Sequence, residues 1–373
     1  MTLPELNSAD DAEAVIAAVL DDERMHRLRE AFSPAGGLAG IVSHAEALLA
    51  GFEATAERDQ VQRIIARWRN LLDCWDAPGI EADVLDALVA HATAWDLRIG
   101  AERDAMPTSV ELFPRDTADL IMSIAQDWGM TAAQPPQGEF TVVMPIGGLL
   151  RANLSRPQYA ADLLARGEIT AEMVVALASQ RATSRAEQAR ARALDAPGHS
   201  EEAALAFGME RAFGLDPGDW SPTNSAGLVR GPDHDGASVF MGTAPASSSH
   251  GRRATTGEAF AWLLTTSLLP DDSSVLQITA THCWLANHVA LLTTAPRSMR
   301  VRTVGSRMTT EGPARSQIYL QEMKALVDCL PGLRTWAARV PVAFAANVTR
   351  LQEVSPMHTL STLGAPVGSR SRD

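Results

Sequence analysis

The chain has 373 residues, of which 46% are hydrophobic and 21% charged, a globular composition with room for two domains rather than a disordered or fibrous one. A formal net charge of −13 argues against a general nucleic-acid binder, although basicity confined to one edge of one domain leaves room for a phosphorylated ligand. The start, MTLPELNSADDAEAV, lacks the basic and apolar parts of a secretory signal, and no apolar run approaches the roughly 20 residues of a bilayer span, which predicts a cytoplasmic protein with no membrane partner.

Residues 10–105 place apolar positions at helical spacing, as in DAEAVIAAVLDDERMHRLREAF and VQRIIARWRNLLDCW, and strand-like runs are missing there. The pattern predicts four to six helices, with Asp76 or Glu81 available to start the one after the Asp-Ala-Pro-Gly break. Trp68, Trp75 and Trp95 fall on apolar faces, which reads as core packing. A further helix is predicted over Thr117–Trp128, and Gln134-Pro-Pro-Gln-Gly has the composition of a linker.

From Phe140 the texture changes. Five apolar, β-rich runs (FTVVMPI, MVVALAS, ASVFMGTA, SSVLQITAT and MRVRTVG) alternate with helical stretches, the signature of an α/β doubly wound, Rossmann-like parallel sheet of about five strands covered on both faces. The expected organisation is an all-α N-terminal domain over 1–133, a Rossmann-like α/β domain over 139–352 and a flexible Ser/Gly/Pro-rich tail over 355–373.

Open parallel sheets bind ligands beyond the carboxyl ends of their strands. The chain puts chemistry there in five successive loops. Gly147 and Gly148 end the first strand with Arg151 close behind. Ser179-Gln-Arg181 ends the second, and SSSHGRRATTGE, with His250, Arg252, Arg253 and Thr255, follows the third. Thr279-Ala-Thr-His282-Cys283 ends the fourth and Gly305-Ser-Arg ends the fifth. Glycine admits a ligand to the backbone and arginine neutralises an anion, yet neither GxGxxG nor GxxxxGK[ST] is present. Three cysteines without Cys-x-x-Cys spacing (Cys74, Cys283 and Cys329) predict small buried hydrophobes, and the absence of HExxH, a Cys-His cluster or an aspartate run gives no metal site. Cys283 beside His282 at a strand end admits a thiolate reading as well as a core cysteine, and because adjacent residues of a strand face opposite ways, contact between the pair does not follow from their adjacency.

The order strand, Gly-Gly, Arg and a helix with Ala160-Ala161-x-Leu163-Leu164-x-x-Gly167 is followed by Ser179-x-Arg181, a Glu opening a helix, Arg253-Ala-x-Thr-x-x-Ala and Thr279-x-x-His282. This series resembles the SanA/YdcF-like family of Rossmann-type domains of unknown function. It is closer still to uncharacterised actinobacterial-type relatives with an added N-terminal helical region and a Tyr-Leu-Gln-Glu motif, here Tyr319–Glu322. The resemblance spans about 139–330 and implies a site of strand-end loops with Gly148, Arg151, Arg181, Glu202 and Arg253 as members. The family's Asn is Thr255 here, and its histidine stands one residue further from the threonine than His282 does.

The expected roles are therefore catalysis by His282 and Glu202, with Gly147, Gly148, Arg151, Arg181, Arg253, Thr255 and Thr279 binding ligand. The leading functional expectation is an enzyme, a transferase acting on an anionic, phosphate- or nucleotide-containing small molecule. Two alternatives are an aminoacyltransferase of specialised metabolism that takes its acyl group from the acceptor end of a charged tRNA, and a non-catalytic ligand-binding or scaffold protein. No cofactor is specified by the sequence.

Overall fold

Continuous apolar runs bounded by turn residues become a central sheet, and amphipathic stretches become the helices that cover it. The computed structural model describes residues 9–52, 56–75, 83–100, 106–132, 136–247, 253–306 and 315–338. Among the described residues six α-helices come first: α1 (Ala9–Leu20), α2 (Glu23–Ala31), α3 (Leu38–Leu49), α4 (Ala56–Cys74), α5 (Val84–Ala92) and α6 (Arg115–Asp127). The start of α5 is capped by Asp83, whose carboxylate accepts from the Leu85 amide at 2.8 Å; the expected Asp76 and Glu81 lie outside the described residues. Trp68 and Trp95 are fully buried as expected, stacked edge-on around Phe32.

The sheet then alternates with helices: β1 (Gly138–Pro145), α7 (Leu150–Ala165), β2 (Ile169–Ser179), α8 (Arg185–Ala193), α9 (Glu201–Phe213), β3 (Ser221–Pro222), β4 (Leu228–Arg230), β5 (Ser238–Ala244), α10 (Thr256–Thr265), β6 (Ser274–Ala280), α11 (Trp284–Leu292), β7 (Arg300–Ser306) and α12 (Ser316–Ala338). Its seven strands lie in the order β3-β4-β5-β2-β1-β6-β7. The expected count of about five is corrected to seven: the five apolar runs are the parallel strands β1, β2, β5, β6 and β7, while β3 and β4 add an antiparallel edge. Those two strands span two and three residues, one of them a proline, too short to give a period-2 signal.

Alternation along the strands splits the core into two faces. Val143, Val174, Leu276 and Ile278 pack with Leu163 of α7 and Leu205 and Met209 of α9. Val142, Met144, Val175 and Val275 pack on the other face with Phe260 of α10 and Leu291 of α11. Helices α7 and α9 meet at an unusual point. Pro157 inside α7 has no amide hydrogen to give the Asn153 carbonyl, and Gly208 of α9 presses against that carbonyl so closely that a Cβ would lie 1.9 Å from it.

A third apolar cluster joins the N-terminal helices to Leu285 and Val289 of α11 and to Leu320, Met323 and Leu330 of α12. Helix α11 therefore has the sheet on one side and the helical layer on the other. Strand β1 is the point at which the winding reverses, because β2 and β5 lie to one side of it and β6 and β7 to the other. Among the described residues, no helix is long and apolar enough to cross a membrane.

Candidate functional site

The Gly147-Gly148 turn leaves the carboxyl end of β1 between its two neighbours. The Ile146 amide donates to the Ile278 carbonyl at the end of β6 (3.1 Å), and the Gly147 amide donates to the Leu177 carbonyl of β2 (2.7 Å). Bare backbone is needed here because the space above Gly147 holds the Glu201 carboxylate, 2.5 Å from where a Cβ would sit. The Gly148 amide donates to Asn153 Oδ1 (2.8 Å), and Asn153 Nδ2 donates to the Glu201 carbonyl (3.3 Å), tying the turn to the start of α9.

Around this turn lies a buried ion network. Arg181, beyond β2, donates through Nη1 and Nη2 to both Glu187 oxygens (2.7 and 2.9 Å), through Nε to Glu201 Oε2 (2.8 Å), and through Nη2 to the Gly148 carbonyl (2.9 Å). The Ser179 amide and hydroxyl both donate to Glu201 Oε1 at 3.0 Å. Arg156 Nη1 donates to the Ile146 and Gly147 carbonyls at 2.7 Å each. Burial alone would raise the Glu187 carboxyl, but the Arg181 hydrogen bonds, the Ser184 amide and the Arg181 charge together hold it below the ordinary range. The same carboxylates outweigh burial at Arg181 and raise its pKa further.

The structure brings Gly147, Gly148, Arg181 and Arg253 together. Arg253 Nη1 lies 3.6 Å from Glu201 Oε2 with about a third of its side chain exposed. Arg151 is half-buried in the first turn of α7, next to Leu150, whose amide donates to Glu187 Oε1 (3.2 Å). Glu202 is exposed, and it is the preceding residue, Glu201, that enters the network at 2% exposure. Reading the Glu-Glu pair against the helical period of α9 could have flagged Glu201, since it precedes the buried Ala204, Leu205 and Gly208 at spacings of 3, 4 and 7.

Thr255 is exposed and caps α10 in a reciprocal box with Glu258, whose carboxylate accepts from the Thr255 amide (2.7 Å). Thr279 is fully buried and accepts from Asn287 Nδ2 (2.8 Å), and Asn287 Oδ1 in turn accepts from the Thr256 hydroxyl (2.9 Å). Residues 248–252, including His250 and Arg252, lie outside the described residues.

On the β6 side of the switch point, the chain leaves the strand in a 3-10 turn, Thr281–Cys283, so the alternation that would separate His282 from Cys283 does not apply. The turn is held by the Thr281 hydroxyl donating to the Ser306 carbonyl (2.9 Å) and by close packing of Gly305 on the Thr281 backbone. His282, Cys283 and Glu322 of α12 each present a ligand atom within 4.8 Å of the other two. The expectation of a sequence without a metal-ligating group missed this cluster, because Cys283 and Glu322 stand 39 positions apart and only the docking of α12 joins them. Of the three cysteines expected to be buried, Cys283 is buried, Cys329 is partly buried and Cys74 is exposed.

Fold and site together define an α/β protein with a mostly parallel, Rossmann-like sheet, a buried arginine–glutamate network at its carboxyl edge and a helical layer on one face. The chain is similar to uncharacterised proteins of Mycobacterium tuberculosis and Mycobacterium bovis, at 28% identity over 290 residues that cover 65% of this chain and 80% of each relative. No family model and no solved structure matches it.

Proposed function

We propose that the protein is an enzyme that acts on an anionic small molecule, phosphate- or nucleotide-bearing, by group transfer at the carboxyl edge of its sheet. The observation that carries this reading is the convergence of several arginines on the β1 turn. Among the described residues, Arg181 and Arg253 meet Glu187 and Glu201 there, Arg156 holds the Ile146 and Gly147 carbonyls, and Arg151 stands in the first turn of α7. Arg181 and Arg156 are engaged with carboxylates and carbonyls inside the network. Arg253 is the partly exposed member, at a longer 3.6 Å from its carboxylate, and so is placed to share itself with a ligand anion.

Support comes also from position. The network surrounds the β1 turn at the topological switch point, where loops of adjacent strands converge and the N-terminus of α7 adds its partial positive charge. The likeness to SanA/YdcF-like domains favours the same strand-end loops. His282, on the turn after the neighbouring β6, adds a side chain capable of acid–base chemistry at the same edge of the sheet.

Titration calorimetry with inorganic phosphate, pyrophosphate and ATP tests the reading. Arg253→Ala and Arg151→Ala should each weaken the best of these by about 1.5–3 kcal/mol, the worth of a charged hydrogen bond, with the fold intact by circular dichroism. Arg252→Ala should have only a small effect. Equal small effects of all three, or no binding by the parent protein, would overturn the proposal. Retention of RNA that falls steeply with salt would favour the charged-tRNA alternative instead.

A further inference from the structure

We infer that His282, Cys283 and Glu322 form a binding site for a divalent transition metal, zinc by preference. Three atoms that all lie within 4.8 Å of one another can be placed around a common centre no more than about 2.8 Å from each. Zinc bonds of about 2.0–2.3 Å then require each donor to move inward by less than about an ångström, within reach of side-chain rotation. The donors are one imidazole, one sulfur and one carboxylate. A thiolate disfavours magnesium and calcium, which take oxygen ligands, and the mixed set of three matches zinc sites that keep a fourth position open.

Electrostatics points the same way. Cys283 is 1% exposed and Glu322 is 3% exposed, so both ligand groups stand in a medium that penalises net charge. A divalent ion with a thiolate and a carboxylate sums to zero. Binding exchanges one proton, lost from the Cys283 thiol to solvent, for the metal, and imidazole joins as a neutral donor. The half-buried His282 marks the open side of the cluster.

The donors are also held in place by their surroundings. The 3-10 turn carrying His282 and Cys283 is clamped onto β7 by the Thr281 hydroxyl and by Gly305. The register of α12 is fixed beside Glu322, where Gln321 Oε1 accepts from the Leu97 amide (2.8 Å) and Gln317 Nε2 donates to the Pro107 and Val110 carbonyls (2.7 Å each). Such supporting contacts are what a metal site needs to hold its geometry. The inference goes beyond the anion reading and depends on none of its arginines; His282 would act through the ion.

The test uses untagged, chelator-stripped protein carrying Cys74→Ser and Cys329→Ser, which leaves Cys283 as the single thiol. Cobalt(II) should bind one per chain, with thiolate-to-metal charge-transfer absorption and a tetrahedral visible spectrum, and zinc should displace it. Cys283→Ala should abolish the charge-transfer band, while His282→Ala and Glu322→Gln should weaken zinc binding at least tenfold in competition with a chromophoric chelator. Absence of the band at saturating cobalt in the single-thiol protein overturns the inference, and this measurement does not depend on whether the ligand variants fold. Equal zinc affinity in the His282→Ala/Cys283→Ala/Glu322→Gln protein would overturn it as well. Because the readout is metal, a failure here is distinct from a failure of the anion titration.

Discussion

Gly147 and Gly148 are chemically identical neighbours with different constraints. A Cβ at Gly147 would lie 2.5 Å from Glu201 Oε1 and 3.2 Å from the Ala178 Cα, and Glu201 cannot swing aside while Ser179 and Arg181 hold it. The nearest atoms to a Cβ at Gly148 would be side-chain atoms, Arg156 Nη1 at 3.1 Å and the Ala152 Cβ at 3.2 Å. Gly147→Ala should therefore destabilise the protein by about 1–3 kcal/mol, the usual cost of overpacking, and Gly148→Ala by less, both read from urea midpoints. An unperturbed Gly147→Ala midpoint would show that Glu201 is not locked against the turn. The glycine pair was legible in the sequence as a place needing bare backbone. What fills that space was not, because the occupant is the protein's own Glu201, more than 50 positions away and identifiable only once the neighbours of β1 are known. The resemblance pointed to Glu202, and at one residue's offset a helix turns by about 100°, enough to exchange a buried face for an exposed one.

At the scale of elements, the parallel strands were readable because each is an apolar run covered on both faces, whereas β3 and β4 carry too few residues to announce themselves. Ser184 and Glu187 have the spacing of a capping box, and the box is present, yet the same Glu187 carboxylate also accepts both Arg181 hydrogen bonds and the Leu150 amide. One side chain thus joins the end of β2 and the starts of α7 and α8. Its carboxyl is held below its ordinary value of 4.5 in the folded protein, so it contributes stability above that pH and loses the contribution as pH falls through the lower folded-state value. Glu187→Gln leaves Arg181 paired with Glu201 alone and should cost about 1.5–3 kcal/mol near neutrality, the worth of charged hydrogen bonds. The gap between parent and variant should narrow on acidification below pH 4.5, measured by urea unfolding at stepped pH. A gap that stays constant to the acid limit would show that the charge of Glu187 plays no part.

For the whole molecule, the change of texture near residue 140 marks where helices give way to the sheet, and it suggests a division between two units near 130–139. That remains the proposed boundary, with Gln134 and Pro135 outside the described residues. The packing adds a constraint that no local pattern contains. Helix α12, the last described element, completes the core of the first six helices, with Leu320, Met323, Leu326 and Leu330 buried among them. Its Gln317 side chain donates to the Pro107 and Val110 carbonyls, and an ion pair joins Arg334 to Asp83 (2.9 Å). Burying each such leucine or methionine contributes about 1.5–3 kcal/mol, so the apolar contacts far outweigh the exposed ion pair. A protease nick between Met130 and Gly138 should accordingly leave two fragments that co-elute in gel filtration under native conditions and separate only in denaturant. The docked α12 supplies most of the contact that holds them, with α11 contributing the rest, so a chain truncated after Arg315 and nicked at the same place should separate at much lower denaturant. Fragments that part without denaturant while α12 is present would show that the helical unit holds its core without α12.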